Sequence, residues 1–307
     1  MINYNPIIQF LKNKNSIQLD VLRLDLIHPL VSGNKWFKLK HNLQKAISKQ
    51  HNTIITFGGS YSNHIAATAA ACKLMNLKSI AVIRGEENQK LNSTLIEAQK
   101  NGMQFYFVSR EFYSQKDIVE FDSHLTEKFG KHYLIPEGGF NYEGVLGCKE
   151  IINPSWDYDY VVCTCGTATT FAGIISSANK KQISIGISVL KGENNLASNV
   201  FTLLENNKIN INGNEELEKE FIDTNCIINK HCFNGYAKFN KTLIDFKIDF
   251  ENQYNIPLDY IYTNKLFYAV DDLLVKNKFK PNSKVLIIHS GGLQGNISFE
   301  KRYGISK

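Results

Sequence analysis

The chain has 307 residues, 43% hydrophobic and 21% charged, a balance that builds a full globular core in one large unit or two lobes. Its 35 Lys and Arg against 29 Asp and Glu give a net charge of +6, but the basic residues are scattered and never interleave with aromatics as a nucleic-acid surface requires. No apolar run approaches bilayer length, and Met1 to Asn15 carry no basic start, sustained apolar stretch or small-residue cleavage site, so a cytoplasmic location is expected.

Short apolar runs alternate with helical patterns, the rhythm of parallel sheets covered by helices. Thr53 to Phe57 reads as a strand entering Gly58-Gly59, and Ser62 through Met75 as an Ala-rich helix with Ser62 or Asn63 at its cap. Ser79 to Ile83 and Gln104 to Val108 are further strands, with Leu91, Thr94, Leu95 and Ala98 at helical spacing between them. Tyr133 to Ile135 is a short strand leading into a Pro-Glu-Gly-Gly turn. Tyr160 to Thr164 then opens a second set, with a helix over Thr169 to Ala178 and strands at Ile183 to Val189 and Lys284 to Ile288. Helices are predicted over Asn240 to Tyr254 and Asn264 to Lys276, while Leu190 to Ile227 is polar, Asn-rich and without clear period. Of the six cysteines, Cys72, Cys148, Cys163, Cys165, Cys226 and Cys232, none form a Cys-x-x-Cys pair, so no metal site is expected. Cys163 and Cys165 alternate in an apolar run and are expected on one buried face.

The chemistry falls at strand-to-helix turns, which line the ligand crevice of open parallel sheets. In Ser32-Gly33-Asn34-Lys35 a lysine sits in a Gly-Asn turn that would pin its backbone, and a pinned, partly desolvated amine is what a carbonyl cofactor requires. Taken alone, Lys35 reads as one solvated lysine among many. Ser62, Asn63 and His64 open a helix whose free N–H groups and positive dipole end suit a carboxylate. Gly166-Thr167-Ala168-Thr169-Thr170 follows an apolar strand and opens another helix, where N–H groups and hydroxyls can hold a dianion without any lysine. This stretch lacks the Gly-x-x-x-x-Gly-Lys-Ser/Thr pattern of a nucleotide loop.

Five stretches in chain order carry a resemblance: Ser32-Gly33-Asn34-Lys35-Trp36, Ser62-Asn63-His64, Pro136-Glu137-Gly138-Gly139, Gly166 to Thr170, and His289-Ser290-Gly291-Gly292. Together they resemble pyridoxal-phosphate enzymes of the tryptophan-synthase-β type, and within them the 1-aminocyclopropane-1-carboxylate deaminase/D-cysteine desulfhydrase family. The resemblance implies an α/β fold of two lobes, each an open, mostly parallel sheet flanked by helices. Residues 1–45 and 151–307 would form the larger, cofactor-binding lobe, and 46–150 a smaller inserted one contributing the substrate carboxylate site. Lys35 would hold pyridoxal 5'-phosphate, Asn63 would lie beside its 3′ oxygen, and Gly166, Thr167, Ala168, Thr169 and Thr170 would hold its phosphate. Ser290 would face the ring nitrogen as a neutral donor, a moderate electron sink that suits elimination more than transamination.

Ser62, Asn63 and His64 would take the substrate carboxylate. Tyr262, in Tyr260-Ile261-Tyr262-Thr263-Asn264-Lys265, resembles the family's proton-moving tyrosine, and Tyr236 a second active-site tyrosine. Lys35 and Ser62 are the other candidate proton carriers. A phenol of usual pKa about 10 becomes useful in this role if a nearby cation or dipole lowers that value. The activity implied is a lyase that takes D-cysteine to pyruvate, sulfide and ammonia; the alternative takes 1-aminocyclopropane-1-carboxylate to 2-oxobutyrate and ammonia. A cofactor-binding protein with little turnover is the reading from another class. Cyclopropane deaminases typically place an acid directly after the tyrosine, where this chain has Thr263; that favours D-cysteine and a neutral neighbourhood. The chain departs from the family at Phe37, where arginine is common, at Tyr61, where glutamine is common, and at Ala168 and Thr169, which replace glycines. Thr169 is the substitution expected to restrict the turn. A small amino acid is the expected partner, without nucleic acid or membrane, and the chain is expected to form a homodimer.

Overall fold

The computed structural model describes residues 2–86, 90–191, 195–206, 208–209 and 227–305. Cys226 and most of the polar segment from 207 to 226 therefore lie outside the described residues. The strands are β1 (Ile8–Lys14), β2 (Ile17–Arg23), β3 (Thr53–Gly58), β4 (Lys78–Arg84), β5 (Met103–Val108), β6 (Tyr133–Ile135), β7 (Tyr160–Cys165), β8 (Ile183–Ser188), β9 (Ile227–Ile228) and β10 (Lys284–His289). The helices are α1 (Asn34–Ser48), α2 (Asn63–Leu74), α3 (Ser93–Lys100), α4 (Arg110–Tyr113), α5 (Val119–Phe129), α6 (Tyr142–Cys148), α7 (Thr169–Ser177), α8 (Leu196–Glu205), α9 (Lys241–Tyr254), α10 (Thr263–Val275) and α11 (Gly295–Tyr303). No helix among the described residues is long and apolar enough to cross a membrane.

Two sheets form, in the orders β1-β2-β10-β7-β8-β9 and β5-β4-β3-β6. Among the described residues only the β1–β2 pair is antiparallel. This is the α/β fold of two mostly parallel, helix-flanked sheets that the sequence predicts. Every residue of β3 and of β7 is buried, because a parallel strand covered on both faces has no solvent side to alternate toward. Alternate residues of β7 and β10 feed two different cores. Val161, Cys163, Leu286 and Ile288 pack with Phe171 and Val200 on one face. Val162, Val285 and Ile287 pack with Phe250 and Leu266 on the other. Cys163 and Cys165 indeed share one face, both buried.

Two elements near the N-terminus were not legible. β1 and β2 form a hairpin whose two loop residues, Asn15 at φ 53° and Ser16 at φ 61°, adopt the left-handed conformations of a type I′ turn. Lys35 is not in a turn either. It is the second residue of α1, which runs on for 15 residues and buries Trp36, Phe37, Leu39 and Leu43. The pinning expected from a Gly-Asn turn comes from Gly33, the residue that caps this helix.

Gly33 takes φ +68° and ψ −150°, a conformation that side chains with a Cβ avoid, and a Cβ there would lie 1.8 Å from the Ser290 carbonyl oxygen. Its N–H donates to Leu24 O at 3.0 Å, and the Asn34 N–H donates to Ser290 O at 3.2 Å. Reciprocally, a Cβ on Gly291 would meet Ser32 Oγ at 2.5 Å. The start of α1 is thus locked backbone-to-backbone onto the end of β10. Gly33→Ala is expected to lower folding stability by at least about 2 kcal/mol, from backbone strain plus displacement of β10. Urea unfolding with an unchanged midpoint would show that the lock does not exist.

Candidate active site

The carboxyl ends of β3, β7 and β10 run into the loops that carry the sequence motifs, and α1 begins against the last of them. After β3, Ser62 caps α2: its Oγ accepts from His64 N at 3.2 Å and Ile65 N at 3.4 Å. Asn63 is buried against the β10 loop, since a Cβ on Gly292 would fall 2.7 Å from its Nδ2. His64 is not a solvated first-turn histidine. It is buried, with Nε2 3.0 Å from Thr56 Oγ1. That hydroxyl already donates to Ile135 O at 2.8 Å, so the imidazole must donate from Nε2 and carry a lone pair on Nδ1. Nδ1 is buried without a hydrogen-bond partner among the described residues. Burial first, then the Lys38 and Lys35 ammoniums, push the His64 pKa down to about 3. The ring is neutral and offers a carboxylate no proton; only the main chain at this position can donate.

After β7, the turn at Gly166 lies against the Tyr262 ring, where a Cβ would make ordinary contact, 3.4 Å from Tyr262 Cε1. α7 opens without a side-chain cap; the Thr169 N–H turns back to Thr167 O at 2.8 Å, so the first-turn N–H groups left for an anion begin at Thr170. The turn differs from the sequence expectation in two ways. Thr169 is ordinary helix, whereas Ala168 adopts φ 64° and ψ −30°, so the strain falls on the alanine. A lysine is also present. Lys38, buried, donates from Nζ to Thr167 Oγ1 at 3.2 Å. Its place three residues beyond Lys35 on α1, and therefore on the same face, was the overlooked signal. Thr170 Oγ1 accepts from Asn34 Nδ2 at 2.7 Å and so ties this turn to the start of α1.

Lys35 Nζ donates to Asn34 Oδ1 at 2.8 Å and lies 5.8 Å from the centroid of the Tyr262 ring. Burial and the neighbouring Lys38 lower its pKa from 10.5 to about 7, against a small opposing pull from Asp259. Tyr262 and Tyr236 meet edge to face at 6.1 Å and are joined through their hydroxyls. The Tyr262 pKa moves up rather than down: burial first, then the neighbouring Tyr236 and Asp259, raises it well above the phenol range. Tyr262 therefore keeps its proton at neutral pH, while Tyr236 is 44% exposed. Ser290, also buried, places Oγ 3.4 Å from Thr164 Oγ1.

The sequence reading also missed Asp259. This buried carboxylate accepts from Ile261 N at 2.9 Å, Tyr262 N at 3.0 Å, Thr263 N at 2.7 Å and Thr263 Oγ1 at 2.8 Å. It fixes the backbone under Tyr262 and absorbs the Thr263 side chain, so the surroundings of Tyr262 are not free of charge. A cavity of about 350 Å³ lies elsewhere, between β1, α9 and α10, and none of the residues singled out from the sequence lines it.

The donor set fits pyridoxal phosphate: an amine of lowered pKa, an uncapped helix start beside a second lysine, and a buried serine hydroxyl at the end of β10. Comparison with known proteins agrees. A family profile described as pyridoxal-phosphate dependent enzyme matches residues 5–291. A Thermotoga maritima protein named "Putative 1-aminocyclopropane-1-carboxylate deaminase" is 32% identical over 316 residues, covering 96% of each chain. An Arabidopsis thaliana protein named "Bifunctional D-cysteine desulfhydrase/1-aminocyclopropane-1-carboxylate deaminase, mitochondrial" is 29% identical over 307 residues, covering 92% of this chain and 74% of that one. A crystal structure of an ACC deaminase homologue superposes with a TM-score of 0.83 at 25% identity, covering 98% of this chain and 93% of that one.

The strain at Ala168 yields a direct prediction. Ala168→Gly is expected to raise folding stability by about 0.5–1 kcal/mol, because glycine removes the left-handed penalty at slight entropic cost. A urea midpoint that falls would show that the alanine methyl packs usefully and the turn is unstrained.

Proposed function

The chain belongs to the family of pyridoxal-phosphate dependent enzymes, and on that premise we propose that it deaminates a small amino acid, D-cysteine first, releasing pyruvate, sulfide and ammonia. Within that family it is one of the 1-aminocyclopropane-1-carboxylate deaminase/D-cysteine desulfhydrase enzymes. The observation that carries the substrate choice is the Asp259–Thr263 pair. Thr263 adds no second carboxylate after Tyr262, and the carboxylate that is present has its oxygens engaged by four donors. No free acid is left there for opening a cyclopropane ring. The Arabidopsis relative, named for both activities, keeps 1-aminocyclopropane-1-carboxylate as the alternative substrate.

In this reading Lys35 holds the cofactor, the α7 start with Lys38 and Thr167 to Thr170 holds its phosphate, Asn63 lies by the 3′ oxygen, and Ser290 donates toward the ring nitrogen. When bound, the cofactor supplies an electron sink for the pair left behind as the substrate Cα–H bond breaks. The α2 start, with Ser62 and the main chain of Asn63 and His64, orients the substrate carboxylate. Lys35, neutral in roughly half the molecules near pH 7, accepts the Cα proton. The thiolate leaves with its bonding pair, and the protonated Tyr262, backed by Tyr236, supplies its proton. The released enamine hydrolyses in water to pyruvate and ammonia. The lobes assigned from the sequence, with 46–150 inserted, and a homodimer belong to this proposal; sedimentation velocity tests the latter.

Cofactor-stripped protein should capture pyridoxal phosphate at a rate that rises with pH through about 7 and then levels, since only the neutral amine attacks and the Lys35 pKa is lowered to about 7. Borohydride should fix the added mass on the peptide bearing Lys35; a midpoint above pH 9, or the mass on Lys38, would refute the assignment. Wild-type enzyme should release pyruvate from D-cysteine much faster than 2-oxobutyrate from aminocyclopropane carboxylate. Tyr262→Phe should keep the cofactor yet lose on the order of 100- to 10,000-fold in turnover. Comparable turnover of the cyclopropane substrate would replace the D-cysteine reading with its alternative.

A further inference from the structure

We infer that Lys265 serves as a built-in monovalent cation, holding a cage of backbone carbonyls that sets the two active-site tyrosines against each other. The inference rests on the roles proposed above for Tyr236 and Tyr262.

The turn that carries Tyr236 is backbone-strained. Phe233 at φ 49°, Asn234 at φ 67° and Ala237 at φ 54° are all left-handed, and Gly235 between them is at φ 115°. Three non-glycine residues in that region within one short turn do not persist unless something outside the turn holds them. The holding group is Lys265, whose side chain is completely buried. Its Nζ donates to Gly235 O at 2.6 Å, Cys232 O at 2.8 Å and Val189 O at 3.5 Å, which uses all three ammonium protons. Cys232 O already accepts from Gly235 N at 2.9 Å, and Gly235 O from Lys238 N at 3.1 Å. The ammonium therefore takes the second lone pair of each.

No carboxylate lies within ion-pair distance of Lys265 among the described residues. What balances the charge is a set of three converging carbonyl dipoles from two chain segments, Val189 and the 232–235 turn, the coordination that a bare potassium or ammonium ion would accept. Tethering it to α10 does more than fill the cage. Lys265 stands three residues after Tyr262, on one side of the cage, and Tyr236 directly follows the Gly235 carbonyl on the other. One cation thereby fixes the separation at which the two hydroxyls meet. Lys265 is a positioning residue; it acts through the tyrosines.

Lys265→Ala removes the ammonium and leaves room in the cage for a free ion. The variant holoenzyme is assayed with tetramethylammonium, too large for the cage, as the sole cation, then with potassium or ammonium at equal ionic strength. In tetramethylammonium it should retain pyridoxal phosphate but lose on the order of tenfold to a hundredfold in kcat, as a small misplacement of catalytic groups does. Potassium or ammonium should restore most of that loss and raise Tm, while the wild type responds to neither. If Lys265→Ala cannot be recovered, Lys265→Ser, which leaves similar room, is the deciding variant; Lys265→Met, whose side chain still occupies the cage, should lose the activity and not be rescued. The inference is overturned if small cations change neither Tm nor kcat, or if they raise Tm without restoring kcat. The Tm measurement uses no substrate, so it judges the cage even if the D-cysteine proposal fails.

Discussion

The contact on which the site depends is the backbone interlock between Gly33 and Ser290. A residue with no side chain lets the start of α1 approach the end of β10 closely enough for Asn34 to donate to the Ser290 carbonyl. From that single approach the rest follows. Lys35 and Lys38 project from the same face of α1, Asn34 reaches across to Thr170, and Lys38 reaches Thr167. The amine and the phosphate-turn candidate come from chain segments more than 120 residues apart, yet they are held by hydrogen bonds from adjacent positions of one helix. The Ser290 hydroxyl sits on the same interlock.

Charge inside this arrangement is unevenly placed. Lys35 and Lys38 lie together with no carboxylate within ion-pair reach among the described residues, and both are pushed toward the neutral amine. An anion bound at the α7 start, as proposed for the cofactor phosphate, would relieve that repulsion. The nearest negative charge, Asp259, is spent on the backbone beneath Tyr262. Elsewhere the chain does bury complete ion pairs: Arg23 and Asp25 form a two-pronged bridge with His289 Nδ1 3.2 Å from the same carboxylate, directly behind Ser290. The contrast between paired charges behind the site and unpaired ones within it is what separates support from chemistry.

Much of the core was legible because buried parallel strands leave a short, unbroken apolar signature. β3, β6, β7, β8 and β10 fall within about a residue of where their apolar runs begin and end. The cap of α2 was legible for a local reason too: Ser62 accepts from N–H groups two and three residues on. The stretch predicted to begin at Asn240 in fact starts one residue later, with Asn240 as its cap. The β1–β2 hairpin was hidden because Asn15-Ser16 lacks the glycine that usually marks a type I′ turn. α1 was hidden because its cap is a glycine with no accepting side chain, and because what makes Gly33 necessary is a neighbour 257 positions away in the chain.

The sequence by itself determined the alternation of strands and helices, the small-residue turns at strand ends and the family to which those turns point. Each of these depends on contacts within a few residues. It could not determine the state of the side chains gathered there. That His64 is neutral and faces Thr56, that Tyr262 is held as a donor, and that Asp259 is already occupied are consequences of burial and of partners brought together in the fold. Desolvation and long-range hydrogen bonding belong to the assembled interior. Only the tertiary structure could decide which proton each group keeps.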